Sequence, residues 1–116
     1  IHPGDAAPHN NLGNALAGLG RLDDAVASYR RALDIEPDDA ETLDNLGEVL
    51  AQQGNHQEAV ACFRRAVAAE PNNAAANINL GAALCAVDDV AGAAAALRRA
   101  VVAGLPRSWH NAPSIT

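Results

Sequence analysis

Asn11-Leu12-Gly13 returns as Asn45-Leu46-Gly47 and again as Asn79-Leu80-Gly81, each time 34 residues further on. A fixed period of this size marks a stacked-repeat architecture, in which each unit buries its apolar face on its neighbours. A second recurrence keeps the same step: Ile1-His2-Pro3-Gly4-Asp5-Ala6 matches Ile35-Glu36-Pro37-Asp38-Asp39-Ala40 and Ala69-Glu70-Pro71-Asn72-Asn73-Ala74. Counted between these turns, the units are 6–39, 40–73 and 74–107. Pro3 then reads as the closing turn of an earlier unit ending at 1–5, and the sequence is expected to be cut from a longer array.

Each unit reads as two helices. In the first unit Asp5 is placed to cap a helix with Leu12, Ala15, Leu16 and Leu19 inward, spaced by 3 and 4 as an amphipathic helix requires. Pro8 lies in its first turn, where the missing N–H costs little, and Gly20 ends it. Asp23 and Asp24 open a second helix at its positive end, which buries Ala25, Tyr29, Ala32 and Leu33 before Pro37 stops it. The second unit repeats this with Leu43, Leu46 and Leu50, a turn at Gly54, Asn55 and Glu58 as a capping pair, and then Ala59, Phe63 and Ala66. The third keeps Leu80, Gly81, Leu84, Ala93 and Ala100 but drifts. Asp88 stands where Gly20 and Gly54 turned the chain, Leu97 replaces the aromatic, Gly92 weakens the last helix, and Pro106 arrives one residue late. Residues 108–116 leave the pattern and are expected to form an irregular tail, with Trp109 covering the end of the stack.

Composition agrees with helices. Of 116 residues 28 are alanine and only Tyr29, Phe63 and Trp109 are aromatic, which suits helices that approach closely. All eight basic residues are arginines, and a net charge of −6 argues against nucleic acid or an anionic membrane as partner. The longest apolar run, 81–87, is far short of the roughly 20 residues that span a bilayer. Two cysteines, Cys62 and Cys85, are too few for a disulfide framework and lack metal-ligand spacing; a reduced, cytoplasmic setting is the simplest fit.

The pattern Leu46-Gly47, Leu50, Ala59, Phe63, Ala66 and Pro71 resembles the tetratricopeptide repeat, and Leu12-Gly13, Leu16, Ala25, Tyr29, Ala32 and Pro37 match it equally well. The likeness covers residues 1–107. The tryptophan usual near the start of each unit is absent, with His9, Leu43 and Asn77 in its place. The resemblance implies an all-α, right-handed α-solenoid of three tetratricopeptide helix-turn-helix repeats. It also implies a groove lined by the first helices and a binding rather than a catalytic role. The wording Asn11-Leu12-Gly13-Asn14-Ala15-Leu16 is similar to the repeat arm of the O-linked N-acetylglucosamine transferase family, whose corresponding asparagines contact the polypeptide substrate. Similar units are common in bacterial repeat proteins.

On a helical wheel the arc opposite the leucines is Ala7, Asn10, Asn11, Asn14 and Gly18 in the first unit. It is Glu41, Asp44, Asn45, Glu48 and Gln52 in the second, and Ala75, Ile78, Asn79, Ala82 and Ala86 in the third. Asn11, Asn45 and Asn79 thus form a row along the expected groove. An amide donates and accepts, matching a peptide backbone, so the row would hold an extended segment with little regard for its side chains. The plainer alternative is that the asparagines tie down neighbouring helix or loop backbone, or are merely solvated. Glu41, Asp44 and Glu48 make the middle of the groove acidic, which suits a neutral or basic peptide. Repeat domains that clamp the C-terminal carboxylates of chaperones resemble one another in setting lysine and arginine beside two asparagines. Asn14 and Asn45 match the asparagines, but Asn10, Ala75 and Asn79 stand where the cations belong, so this chemistry is not expected.

No serine, histidine and acid constellation, phosphate loop or paired catalytic carboxylates stand out, and His2, His9, His56 and His110 lack ligand spacing. No catalytic residue, metal or cofactor is therefore expected. Arg30-Arg31, Arg64-Arg65 and Arg98-Arg99 are expected to complement helix C-termini and pair with acids on the outer face. The expectation is an interaction module for a protein or peptide segment, with Asn11, Asn14, Asn45, Asn79, Glu41, Asp44 and Glu48 as site residues. The alternatives are an oligomerisation unit or spacer that stacks end to end, or the substrate-presenting arm of a larger glycosyltransferase-like enzyme.

Overall fold

The computed structural model describes residues 4–104, which form α1 (Ala7–Gly18), α2 (Leu22–Ile35), α3 (Ala40–Gln52), α4 (His56–Ala69), α5 (Ala74–Ala86) and α6 (Val90–Ala103). Among the described residues there is no strand. α1 packs on α2, α3 on α4 and α5 on α6, and α2–α3 and α4–α5 join the pairs. The stack is accordingly elongated, 53 × 32 × 20 Å. The first helices also touch one another, α1 on α3 and α3 on α5, so the stack closes more tightly on their side. That side is the concave face.

The recurring glycine explains how the pairs close. A Cβ on Gly13 would lie 2.5 Å from the Tyr29 ring, one on Gly47 2.6 Å from Phe63, and one on Gly81 2.8 Å from Leu97. The first helix of each pair lays a bare backbone against the large side chain of the second. Tyr29 and Phe63 are buried there, whereas Leu97, on the last described helix, is 41% exposed. Between the helices Gly20 and Gly54 adopt φ of 76° and 84°, and Asp88 takes the same left-handed turn at φ 63°. Asp tolerates that region better than most side chains, which is why the third unit keeps the turn without glycine.

Three expectations are corrected. The inward face assigned to α1 is largely open: Leu12 is 52% exposed, against 4% for Leu46 and 2% for Leu80 at the same repeat position. Leu46 and Leu80 each have a preceding helix pair to lie against, and among the described residues no helix precedes α1. The pair Asn55 and Glu58 does not cap α4, since Asn55 makes no side-chain cap bond and the Glu58 carboxylate accepts instead from Arg30 Nη2 at 3.1 Å. The arginine pairs do not sit at helix ends either, for no last turn carries a basic residue. Two of them bridge units, Arg30 by the expected pairing with an acid, Glu58, and Arg65 Nη2 by donating to the Pro37 carbonyl at 2.7 Å, while Arg99 Nε donates to Asn77 Oδ1 at 2.9 Å within the third unit.

Gly92 is better accounted for by the cap of α6 than as a weak point. The Asp89 carboxylate accepts from Gly92 N at 2.9 Å, and a Cβ there would meet that carboxylate at 2.5 Å. Pro3, Pro106, Trp109 and the tail 108–116 lie outside the described residues.

Candidate functional site

The concave face is built from α1, α3 and α5, none of which carries an arginine or lysine. Its asparagines are placed in register, with different surroundings. Asn11 is exposed. Asn14 is exposed and accepts from the Tyr29 hydroxyl at 2.6 Å, tying α1 to α2. Asn45 is half-buried, and its Nδ2 donates to Oδ1 of the buried Asn10 at 3.2 Å. Asn79, also half-buried, donates from Nδ2 to Glu48 Oε1 at 3.4 Å. Asn45 and Asn79 therefore reach back to side chains of the preceding first helix, where the plainer alternative had them on backbone or in solvent. Asn45 spends one N–H on this, the Asn79 amide also serves Asp44, and neither amide oxygen has a donor among the described residues.

The three acids of α3 share one face but not one environment. Glu41 and Glu48 are exposed, while Asp44 is half-buried beneath them. Burial, with the charges of Glu48 and Glu70 added, pushes the Asp44 carboxyl up to about 6, against a smaller opposing pull from the Asn79 amide. No donor reaches Asp44 Oδ1, which is buried without a hydrogen-bond partner. A carboxyl that binds its proton more tightly folded than unfolded stabilises the fold while protonated. That stability fades as pH rises from an ordinary carboxyl value of about 4 through about 6. Asp44→Asn should therefore gain roughly 1 kcal/mol over the parent at pH 7, allowing for solvent screening, and nothing below about pH 4. Urea unfolding of both at pH 4 and 7 checks this, and a pH-independent difference would refute it.

Between α3 and α5 the concave face opens into a hollow of about 350 Å³ lined by Glu48, Ala51, Gln52, His56, Phe63, Asn79, Ala82, Ala83 and Ala86. The wheel placed Glu48, Gln52, Asn79, Ala82 and Ala86 on this face but did not bring out the hollow, whose floor includes the buried Phe63. The available signal was the pair Ala82 and Ala86, which hold the positions that Glu48 and Gln52 hold one unit earlier. A second hollow, of about 390 Å³, lies on the outer side, where Arg30, Asp34, Glu58 and Arg65 surround Leu33, Leu46, Leu50 and Cys62. Its charges are of both signs, and Arg30 and Glu58 already pair.

Cys62 is buried, which pushes its thiol up and keeps it protonated, while Cys85 is exposed. Among the described residues no group of His, Cys, Asp and Glu is placed to hold a metal ion. No described helix is long and apolar enough to cross a membrane.

Helix pairs repeating every 34 residues, with first helices lining a concave face, define an α-helical solenoid. Family models described as tetratricopeptide repeat match residues 4–72 and 45–109, each more than half of the chain. The chain belongs to the tetratricopeptide repeat family. Among solved structures, the first such domain of Spaghetti (RPAP3), bound to the HSP90 peptide SRMEEVD, superposes with a TM-score of 0.83 at 20% identity over 90% of this chain and 82% of that one. The Sgt2 domain from Aspergillus fumigatus gives 0.81 at 23% identity over 89% and 71%. MamA gives 0.82 at 20% identity over 85% of this chain, which spans only 58% of MamA. At such identities the likeness is one of fold. No curated protein matches the chain. The narrower similarity to the O-linked N-acetylglucosamine transferase arm rests on the wording of the asparagine triplets alone.

Proposed function

We propose that this chain is a protein–protein interaction module that binds an extended, neutral or basic segment along α1, α3 and α5. The observation that carries the reading is the row Asn11, Asn45 and Asn79, with spare amide groups along a concave face whose helices hold acids and no arginine or lysine. Spare amide oxygens accept from a ligand's backbone N–H, and the Asn11 amide donates to nothing among the described residues. Two solved neighbours of the same fold are bound to the acidic peptide SRMEEVD. Here Asp44 and Glu48 would repel that peptide.

Each alanine substitution in the row should weaken a basic ligand by about 1 kcal/mol, the value of a typical hydrogen bond. Asn11→Ala is the cleanest, since Asn45 and Asn79 also tie helices together. Calorimetric titration with basic and acidic peptides, SRMEEVD among the latter, checks the reading. Affinity unchanged across the three variants, or tighter binding of SRMEEVD, would sink it.

A second reading, self-association end to end, is favoured by the exposed Leu12 on α1 and Leu19 just past its end, and Leu97 and Val101 on α6. Neighbouring pairs inside the chain bury the Leu12 position, and a further copy would do the same. Light scattering at high concentration should then show mass rising above the monomer; a strict monomer removes this reading.

A further inference from the structure

We infer that the hollow between α3 and α5 is a subsite for one basic side chain with a long aliphatic stem, lysine or arginine, of the bound segment. The inference rests on the concave-groove reading and deepens it, because a row of amides alone selects no side chain. The hollow owes its space to two substitutions within the repeat. Ala82 and Ala86 replace the Glu48 and Gln52 of the preceding unit, so the wall that would fill it is missing.

The floor and the rim differ in chemistry. Phe63, Ala83, Ala51 and Ala86 give an apolar surface on which a methylene stem can lie. At the rim the Glu48 carboxylate holds only one long bond, 3.4 Å from Asn79, and the Asn79 amide oxygen beside it is an open acceptor. A cationic head group placed there meets acceptors of the right sign. A purely apolar side chain would fill the floor but strip water from Glu48 without replacing it. An anionic side chain would meet Glu48, with no arginine or lysine lining the hollow and only the imidazole of His56 to offset it. Only a stem with a positive end satisfies both parts.

The test uses end-blocked decapeptides of glycine, serine and alanine that differ at one central residue: lysine, norleucine or glutamate. The lysine peptide should bind about tenfold more tightly than the norleucine peptide, as expected for a charge-assisted pair partly shielded from water. Ala82→Gln and Ala86→Gln together restore long side chains on exposed positions, so the helix is retained, which circular dichroism verifies. In that variant the lysine advantage should vanish while the norleucine peptide keeps its affinity. Glu48→Gln should remove most of the advantage as well. Equal binding of the lysine and norleucine peptides, or an advantage that survives Ala82→Gln with Ala86→Gln, overturns the subsite. If binding then still weakens with Asn11→Ala, the groove reading survives the loss of the subsite. If the lysine advantage holds while Asn11→Ala and Asn45→Ala change nothing, the subsite stands and the asparagine row fails.

Discussion

Truncating Leu46 to alanine should destabilise the chain by about 3 kcal/mol, and the same change at Leu12 by no more than about 0.5 kcal/mol. Both leucines occupy one position of the repeat, and their side chains are identical. What differs is the neighbour: Leu46 lies in the continuous core with Leu50, Phe63 and Leu33, whereas Leu12 is half in solvent. A buried leucine loses both its transfer free energy and the packing around the vacated space; an exposed one loses little of either. Urea midpoints of the two variants, with an unchanged dependence on urea, give the comparison directly. Equal losses would mean that Leu12 is covered in solution, and the second reading above would gain by it.

The second large effect belongs to the glycine of the triplet. Gly47→Ala should cost about 2 kcal/mol, although alanine is the better helix former by nearly 1 kcal/mol. The new methyl would press into a buried ring, since Cβ and Phe63 would be 2.6 Å apart. At Gly81 the opposing side chain is the partly exposed Leu97, which can turn outward, so Gly81→Ala should stay within about 0.5 kcal/mol of the parent. A double-mutant cycle isolates the cause: with Phe63→Leu already present, Gly47→Ala should cost less than it does alone. Additive effects would contradict the close approach as the reason for the glycine.

Leu and Gly of the triplet were legible because they meet a requirement that recurs at every pair: an apolar knob and a gap for the next helix. The positive-φ turns at Gly20 and Gly54, and the buried set Ala25, Tyr29, Ala32 and Leu33, follow from the same periodic demand. What the period cannot carry is anything that depends on a neighbour's absence or on a single departure. Leu12 reads as core because its two copies are core. Asn77 reads as a vacant tryptophan position. Yet it is fully buried, donates to the Pro71 and Asn73 carbonyls and accepts from Arg99, so it joins the α4–α5 turn to α6. The Asn45 to Asn10 and Asn79 to Glu48 bonds cross between helices about one period apart in sequence, beyond any single-helix wheel. The acidic middle of the concave face was visible; the burial that separates Asp44 from Glu41 and Glu48 was not.

Backbone-amide NMR of the labelled chain, titrated with an end-blocked glycine, serine and alanine decapeptide carrying one lysine, tests the central claim most directly. The account predicts shifts that map to Asn11, Asn45, Glu48, Asn79 and their neighbours on α1, α3 and α5. Shifts confined to α2 and α4 around Cys62, to Leu12 and Leu19, or absent at millimolar peptide would contradict it.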